Sequence, residues 1–366
     1  MKSPGSCWHI VDIPEHSAGK SLEIKLIPVY SDYYGNSFHL FLGTRGDCIL
    51  KILSNSLGTL IISCGILFAG IISLILYFAL HKKKTDLHLE GTPEIFLNLG
   101  LFSLLIAIWS LQQCGFLQFL IPDGRTLYFI DFFSFFLFPV PFNFLLYDIC
   151  KSKYRKGALY FSVMYLTNMA AAVLLQCAGI VDIFQILPVT HIIMLANAVY
   201  TVVLIHYEAL LLGNESTRDF KLPMYLIMFF GVTELIAYYI QKFQQTSSFL
   251  SLGTMLFIIL LIWIQVSRYY DHYIQKQQLN YLQKLANTDM LTEVHNRNAY
   301  ENKIKYLETH KEELQTTGIV LLDLDNLKTI NDHFGHEKGD EAIRLCGQYI
   351  QQIFQNKENC FRIGGD

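Results

Sequence analysis

Charge is what this sequence has least of. Only 16% of its 366 residues are Asp, Glu, Lys or Arg, against about 25% in ordinary soluble domains. That shortage excludes a chain written throughout for water. The formal net charge is −3, which excludes a strongly basic nucleic-acid binder. The eight cysteines form no C-x-x-C pair, so neither a zinc module nor a disulfide scaffold is indicated. No apolar run follows Met1–Ser6, as a signal peptide would require. What abounds is apolar: 52% hydrophobic residues, with 27 Phe and 21 Tyr. Such a composition excludes intrinsic disorder, and aromatics serve both lipid packing and interfacial anchoring.

Residues 1–56 read as strand and loop. Cys7–Ile13, Ser21–Val29 and Phe38–Leu42 are short apolar or alternating runs, broken by Pro14, Gly19, Pro28 and Gly35. The piece is small for a core of its own. It is expected to be the remnant of a larger extracytoplasmic β-rich sensor domain. Cys7 and Cys48 either pair or stay as two free thiols.

Residues 57–267 hold seven apolar runs near the roughly 20 residues a bilayer crossing needs: Leu57–Leu80, Ile95–Gly115, Leu127–Cys150, Ala158–Val181, Phe184–Leu211, Pro223–Phe243 and Phe249–Ser267. Each is expected to be helical, because lipid offers no partner to an open backbone. Lys and Arg collect in alternate connections: Lys82–Lys84; Lys151, Lys153, Arg155 and Lys156; Arg218 and Lys221. The other side has only Arg125 and Lys242. Retention of basic loops in the cytoplasm puts the amino end outside and the carboxyl end inside an inner (plasma) membrane. Asp131, His191, His206, Glu208 and Glu234 fall inside the runs. They read either as a ligand or ion site, or as groups satisfied by neighbouring helices or headgroups.

Residues 268–287 predict a polar helix with a seam at Ile274, Gln278, Tyr281 and Leu285, suited to a short parallel coiled coil. From residue 288 onward the pattern becomes α/β. A helix is expected over Tyr300–His310 and a buried strand over Thr317–Asp323, which puts Asp323-Leu324-Asp325 at the end of a core strand. Carboxylates in that position suit Mg²⁺, a hard ion that takes carboxylates with phosphate oxygens. Next come a short helix over Asn326–Phe334, glycine punctuation at Gly335 and Gly339, a helix over Glu341–Ile353, and a strand over Cys360–Ile363. The last runs into Gly364-Gly365-Asp366, a turn whose backbone can approach a phosphate. Asp366 beside Asp323 would complete a two-carboxylate metal site.

Three motifs then stand in order: Asp289-Met290-Leu291-Thr292 with Asn296-Arg297; the run Asp323 to Asp340; and Arg362 to Asp366. Together they resemble the GGDEF family of diguanylate cyclases. The resemblance implies a ferredoxin-like palm, as in nucleotide cyclases, and condensation of two GTP into cyclic di-GMP by two domains meeting face to face. It implies Mg²⁺, or Mn²⁺ in its place, on Asp323, the Leu324 carbonyl and Asp366, with Asp366 and Asp323 catalytic. It assigns guanine to Asn331 and Asp340, and the triphosphate to Lys328 and the amides of Asn326 and Leu327. Gln355-Asn356-Lys357-Glu358 stands where the family's product-inhibition site has Arg-x-x-Asp, so that site is expected to be absent. Glu293 and Val294 replace the usual Gly-Leu, and Leu327 replaces Phe. Cys346, Cys360 and His336 read as structural.

The spans also resemble receptors of the 7TMR-DISM type. The expected architecture is therefore multi-domain: a β-rich remnant, a seven-helix transmembrane α bundle, a signalling helix, and a partial α/β domain over 288–366. The function it predicts is a membrane receptor with cyclase output, acting as a homodimer on GTP, with an unidentified ligand and no nucleic acid polymer as partner. Because the sequence ends at Asp366, this polypeptide is expected to be inactive by itself. The alternatives are a non-catalytic GTP-binding module and a transporting bundle.

Overall fold

The computed structural model describes residues 8–14, 16–17, 19–24, 40–81, 93–240, 247–315, 317–354 and 359–364. Twelve α-helices are described in chain order: α1 Arg45–His81, α2 Glu94–Gln113, α3 Gly124–Leu137, α4 Pro139–Ile149, α5 Lys156–Cys177, α6 Ile183–His206, α7 Glu215–Ile240, α8 Ser248–Asn287, α9 Arg297–Thr309, α10 Lys311–Gln315, α11 Leu327–Phe334 and α12 His336–Phe354. The chain divides into two compact units, 1–265 and 266–366, and α8 contributes to both. Cys7, Lys82–Lys84, Lys242, Gln355–Glu358, Gly365 and Asp366 lie outside the described residues.

Among the described residues seven helical stretches are long and apolar enough to cross a membrane, the last of them α8, which runs on into the second unit. The third of them is interrupted. Pro139 has no N–H to continue the ladder, so α3 ends at Leu137 and α4 restarts at Pro139, with the Phe138 N–H still donating to the Ser134 carbonyl.

No strand forms at the amino end among the described residues, so the expected β-rich remnant is not seen there. Helix α1 instead starts at Arg45, because Thr44 and Asp47 make a reciprocal cap. The Asp47 carboxylate accepts from the Thr44 N–H (3.1 Å) and hydroxyl (2.7 Å), while the Thr44 hydroxyl accepts from the Asp47 N–H (3.2 Å). Cys48 is a free thiol on this helix. Further upstream, Trp8 finds side-chain partners in place of a neighbouring strand. Its N–H donates to Gln118 Oε1 (3.0 Å), its carbonyl accepts from Gln118 Nε2 (2.7 Å), and its indole donates to the Gly115 carbonyl (3.1 Å).

Two apolar cores hold the helices. In the larger, Phe102 of α2 meets Phe138, Phe142 and Phe257 with ring centroids 5.7–6.1 Å apart. The smaller joins Tyr128, Phe132 and Phe136 of α3 to Ala172, Ile183 and Leu187. Helices in lipid gain little from burying apolar surface against each other, so close packing and hydroxyl bonds carry more of the association. Both are present. A Cβ on Gly100 would stand 2.7 Å from the Leu74 side chain, so α1 and α2 approach closely only because that atom is missing. The hydroxyls of Ser63, Ser110 and Ser251 form a fully buried chain, 2.6 and 2.7 Å, tying α1 to α2 and α8.

In the second unit the expected α/β palm is not seen: the described residues contain no strand. Pairing is confined to two isolated bridges, Thr288 with His295 and His295 with Phe361. The segment 317–323, expected as a buried strand, has no ladder, and Ile319, Val320, Leu321 and Leu322 are exposed. Its aliphatic content favours a strand, but strand structure exists only through a neighbour's hydrogen bonds. None of the described segments pairs with it. Cys360–Ile363 likewise contributes only the bridge at Phe361.

Candidate functional site

The carboxyl-terminal motifs are brought together first by a turn. After α8, the Asp289 N–H donates to the Val294 carbonyl (2.8 Å) and the Asn296 N–H to the Asn287 carbonyl (2.8 Å), closing residues 287–296 into a loop. Glu293, the replacement for a usual glycine, sits at φ 60°, a left-handed conformation that glycine reaches more easily. Asn296 then caps α9, accepting from the Ala299 N–H (3.1 Å).

At the centre of this turn is Asp289. Its carboxylate accepts from the Thr292 N–H (2.9 Å) and hydroxyl (2.7 Å), from the Leu291 N–H (3.2 Å), and from Arg362 Nη1 at 3.1 Å to each oxygen. Partial burial works to raise its pKa. The bonds from Thr292 and the Arg362 guanidinium outweigh that and hold the carboxyl below its ordinary range. Beside it, Gly347 of α12 lies against Thr292, where a Cβ would come within 2.8 Å. Gln351 Nε2 donates to the Thr292 carbonyl (3.1 Å). Sequence reasoning saw both ends of the Asp289–Arg362 pair as motif members and missed their contact. The signal was two opposite charges, each inside a motif segment otherwise rich in apolar and small residues.

Helices α11 and α12 form the second cluster. Asn326, at φ 62°, turns the chain into α11. The amide of Asn331 lies directly against Gly339, where a Cβ would collide with its oxygen. Asp340 follows at once and is exposed. Helix α12 begins at His336, earlier than the expected Glu341, so Gly339 and Asp340 lie within its first turns and not ahead of it. Lys328 is exposed in the first turn of α11 and Leu327 is half-buried. The structure thus brings Asn331 to the backbone next to Asp340.

Asp323 is exposed, and its carboxylate accepts from the Leu324 N–H (3.0 Å). A carboxylate beside a main-chain carbonyl is a hard oxygen donor set of the kind Mg²⁺ takes. No group of three His, Cys, Asp or Glu able to hold a metal is gathered among the described residues. Cys360 is buried, which pushes its thiol up; Cys346 is half-buried.

The acids of the apolar helices do not converge. Asp131 accepts from Gln113 Nε2 (2.8 Å). His191 Nδ1 lies 3.1 Å from the Tyr239 hydroxyl, its ring framed by Phe135, Tyr238 and Tyr239. The Glu234 carboxylate accepts from the Leu250 N–H (2.8 Å) in the first turn of α8. Fully buried Glu208, on a single π turn Tyr207–Leu211, accepts from the N–H groups of Lys151 (3.0 Å) and Ser152 (2.7 Å) and from Asn214 Nδ2 (2.8 Å). Each satisfies backbone ends or a neighbouring helix separately.

Comparison with known proteins settles the carboxyl-terminal motifs. Residues 286–366 match the family described as "Diguanylate cyclase, GGDEF domain". This segment matches a GGDEF domain. A diguanylate cyclase of Vibrio cholerae is 36% identical over 86 residues, 23% of this chain and 27% of its own length. The diguanylate cyclase DgcS of Shewanella oneidensis is 35% identical over 79 residues, 21% and 27%. The cyclic di-GMP phosphodiesterase PdeR of Escherichia coli is 39% identical over 85 residues, 23% and 13%. The chain thus spans about a quarter or less of the length of these relatives. No solved structure matches.

Proposed function

We propose that this chain belongs to a membrane signal receptor whose GGDEF segment, in the full-length protein, condenses two GTP into cyclic di-GMP. What supports the reading best is the seating of the Asn331 amide on Gly339, next to Asp340. A guanine edge offers N1–H and N2–H donors with an O6 acceptor. A carboxylate and an amide side by side match it. The exposed ammonium of Lys328 and the main-chain amides of Asn326 and Leu327 would meet the triphosphate. Asp323, the Leu324 carbonyl and Asp366 would hold Mg²⁺ or Mn²⁺, which supplies charge neutralisation for in-line phosphoryl transfer.

Seven apolar helices support insertion in a membrane. The Lys and Arg distribution supports an outside amino end and a cytoplasmic GGDEF segment. The single helix α8 continues from the last apolar stretch to Asn287, and its exposed Ile274, Tyr281 and Leu285 offer a seam for a homodimer. A signal altering the apolar helices would then change how two GGDEF segments face each other.

The test is cyclic di-GMP formation by the full-length protein in vesicles given GTP and Mg²⁺, with Asp323→Asn and Asp366→Asn as controls. Product from the wild type and loss in both variants is the expected result. A folded, dimeric protein that binds GTP and forms no product would establish instead the non-catalytic GTP-binding module. That second reading draws support from Asp323, whose described partner is its own backbone neighbour.

A further inference from the structure

The α6–α7 hairpin carries a groove that none of the roles above uses. It has a volume of about 500 Å³ and is lined by apolar side chains of both helices, from Leu195 and Ile236 at one end to Val203 and Tyr225 at the other. That volume is within the ~300–1,000 Å³ of small-molecule sites.

Its length is informative. Tyr225 and Ile236 are separated by eleven helical residues, about 16 Å at a rise of about 1.5 Å each. The hydrocarbon core of a bilayer is about 30 Å thick. The groove therefore runs the depth of one leaflet. It is also open along its side, with Val199, Val203 and Phe229 exposed, so a chain can enter laterally from lipid.

Polar chemistry appears at one end only. The Tyr225 hydroxyl lies 3.3 Å from His206 Nδ1, and the Lys221 ammonium stands 5.7 Å above the Tyr225 ring. Nearby Arg218 is already engaged by Glu215 at 3.8 Å. Among the described residues Lys221 has no carboxylate partner. A cation, a hydroxyl and an imidazole thus meet where an apolar slot of leaflet depth reaches the basic connection between two helices.

We propose that this groove binds one anionic phospholipid, its acyl chain along Val199, Val203 and Phe229 and its phosphate at Lys221, Tyr225 and His206. The charge at the mouth decides the occupant. The acids a second copy's helix would bring to that depth are already engaged, Glu215 with Arg218 and Asp219 with a partner of its own, whereas the phosphate of a phospholipid sits at that depth by construction. On the orientation proposed above, on which this inference rests, the site faces the cytoplasmic leaflet. Anionic headgroups concentrate there, and each nearby Lys adds attraction.

The test is photolabelling of the full-length protein in phosphatidylcholine vesicles containing a trace of phosphatidylglycerol with a diazirine on its acyl chain, with sites mapped by peptide mass spectrometry. Label is expected to concentrate on 195–206 and 225–236 and to be displaced by unlabelled phosphatidylglycerol but not by phosphatidylcholine. Lys221→Gln should weaken that displacement roughly fivefold. Val202→Trp, which fills the slot from an already exposed position, should remove the label while the protein stays monodisperse; should this variant misfold, displacement on the wild type decides alone. Label spread evenly over all lipid-facing helices would overturn the site while leaving the membrane reading intact. Absence of label on every helix would overturn the membrane reading itself. Equal displacement by millimolar inorganic phosphate, or crosslinks only between copies, would overturn the lipid as occupant.

Discussion

Arg362 and Asp289, 73 positions apart, meet with one guanidinium nitrogen 3.1 Å from each carboxylate oxygen. The pair joins the turn after α8 to the segment that leads into Gly364, adding an ionic contact to the bridge between His295 and Phe361. Both side chains are about four-fifths buried, and removing one partner strands the other's charge. Asp289→Ala should therefore cost roughly 1–3 kcal/mol, read by chemical denaturation of the second unit, with Arg362→Ala similar and the double variant costing less than the sum.

The same pair sets an acid limb. The folded-state pKa of Asp289 lies below its ordinary value, near ~3.9. Its contribution is thus complete above that value and is lost as pH falls through the lowered one. Asp289→Asn should flatten the loss of stability in that acidic window and leave the neutral-to-basic limb unchanged. A stability profile of identical slope in wild type and variant would refute the assignment.

Glu208 holds a different kind of joint. It satisfies the N–H groups of Lys151 and Ser152 at the end of α4. Glu208→Ala would leave these part-buried groups without that acceptor, a loss of about 1–3 kcal/mol in all. The expected outcome is a thermal midpoint in vesicles lower by several degrees, with Glu208→Gln intermediate because its amide retains one acceptor oxygen.

Glu234 caps α8 from outside that helix. Glu234→Leu removes the acceptor of the Leu250 N–H and should cost about 1 kcal/mol, as loss of an N-cap does. Hydrogen exchange is the measurement: the first turn of α8 should lose protection while the rest of the helix stays protected.

Gly339→Ala tests the guanine site proposed for Asn331 and Asp340. A Cβ there collides with the Asn331 amide oxygen, so the side chain must rotate away from Asp340. GTP affinity, measured by calorimetry, should fall roughly two- to tenfold, the equivalent of one lost neutral hydrogen bond. Thermal stability should fall less in proportion. Adding Asn331→Ala should restore the stability and not the affinity.

Much of this molecule was legible without coordinates, and for one reason. Apolar runs near 20 residues in a chain with 16% charge would leave the backbone no partners in lipid but its own, so the seven helices follow from local chemistry. The GGDEF motifs likewise announce themselves by residue type and spacing.

What needed the tertiary structure were the pairings between distant groups. Isolated residues such as Glu208, Glu234 and Asp131 read equally as a ligand site or as satisfied groups, and only the helix packing shows that each meets its own donor. The aliphatic run 319–322 reads as a buried strand, yet among the described residues no neighbour pairs with it. Helix and membrane propensity are decided within a few turns of the chain. Strand partners, caps supplied from another helix and the Asp289–Arg362 contact depend on where remote segments come to lie, and that is decided only when the chain has packed.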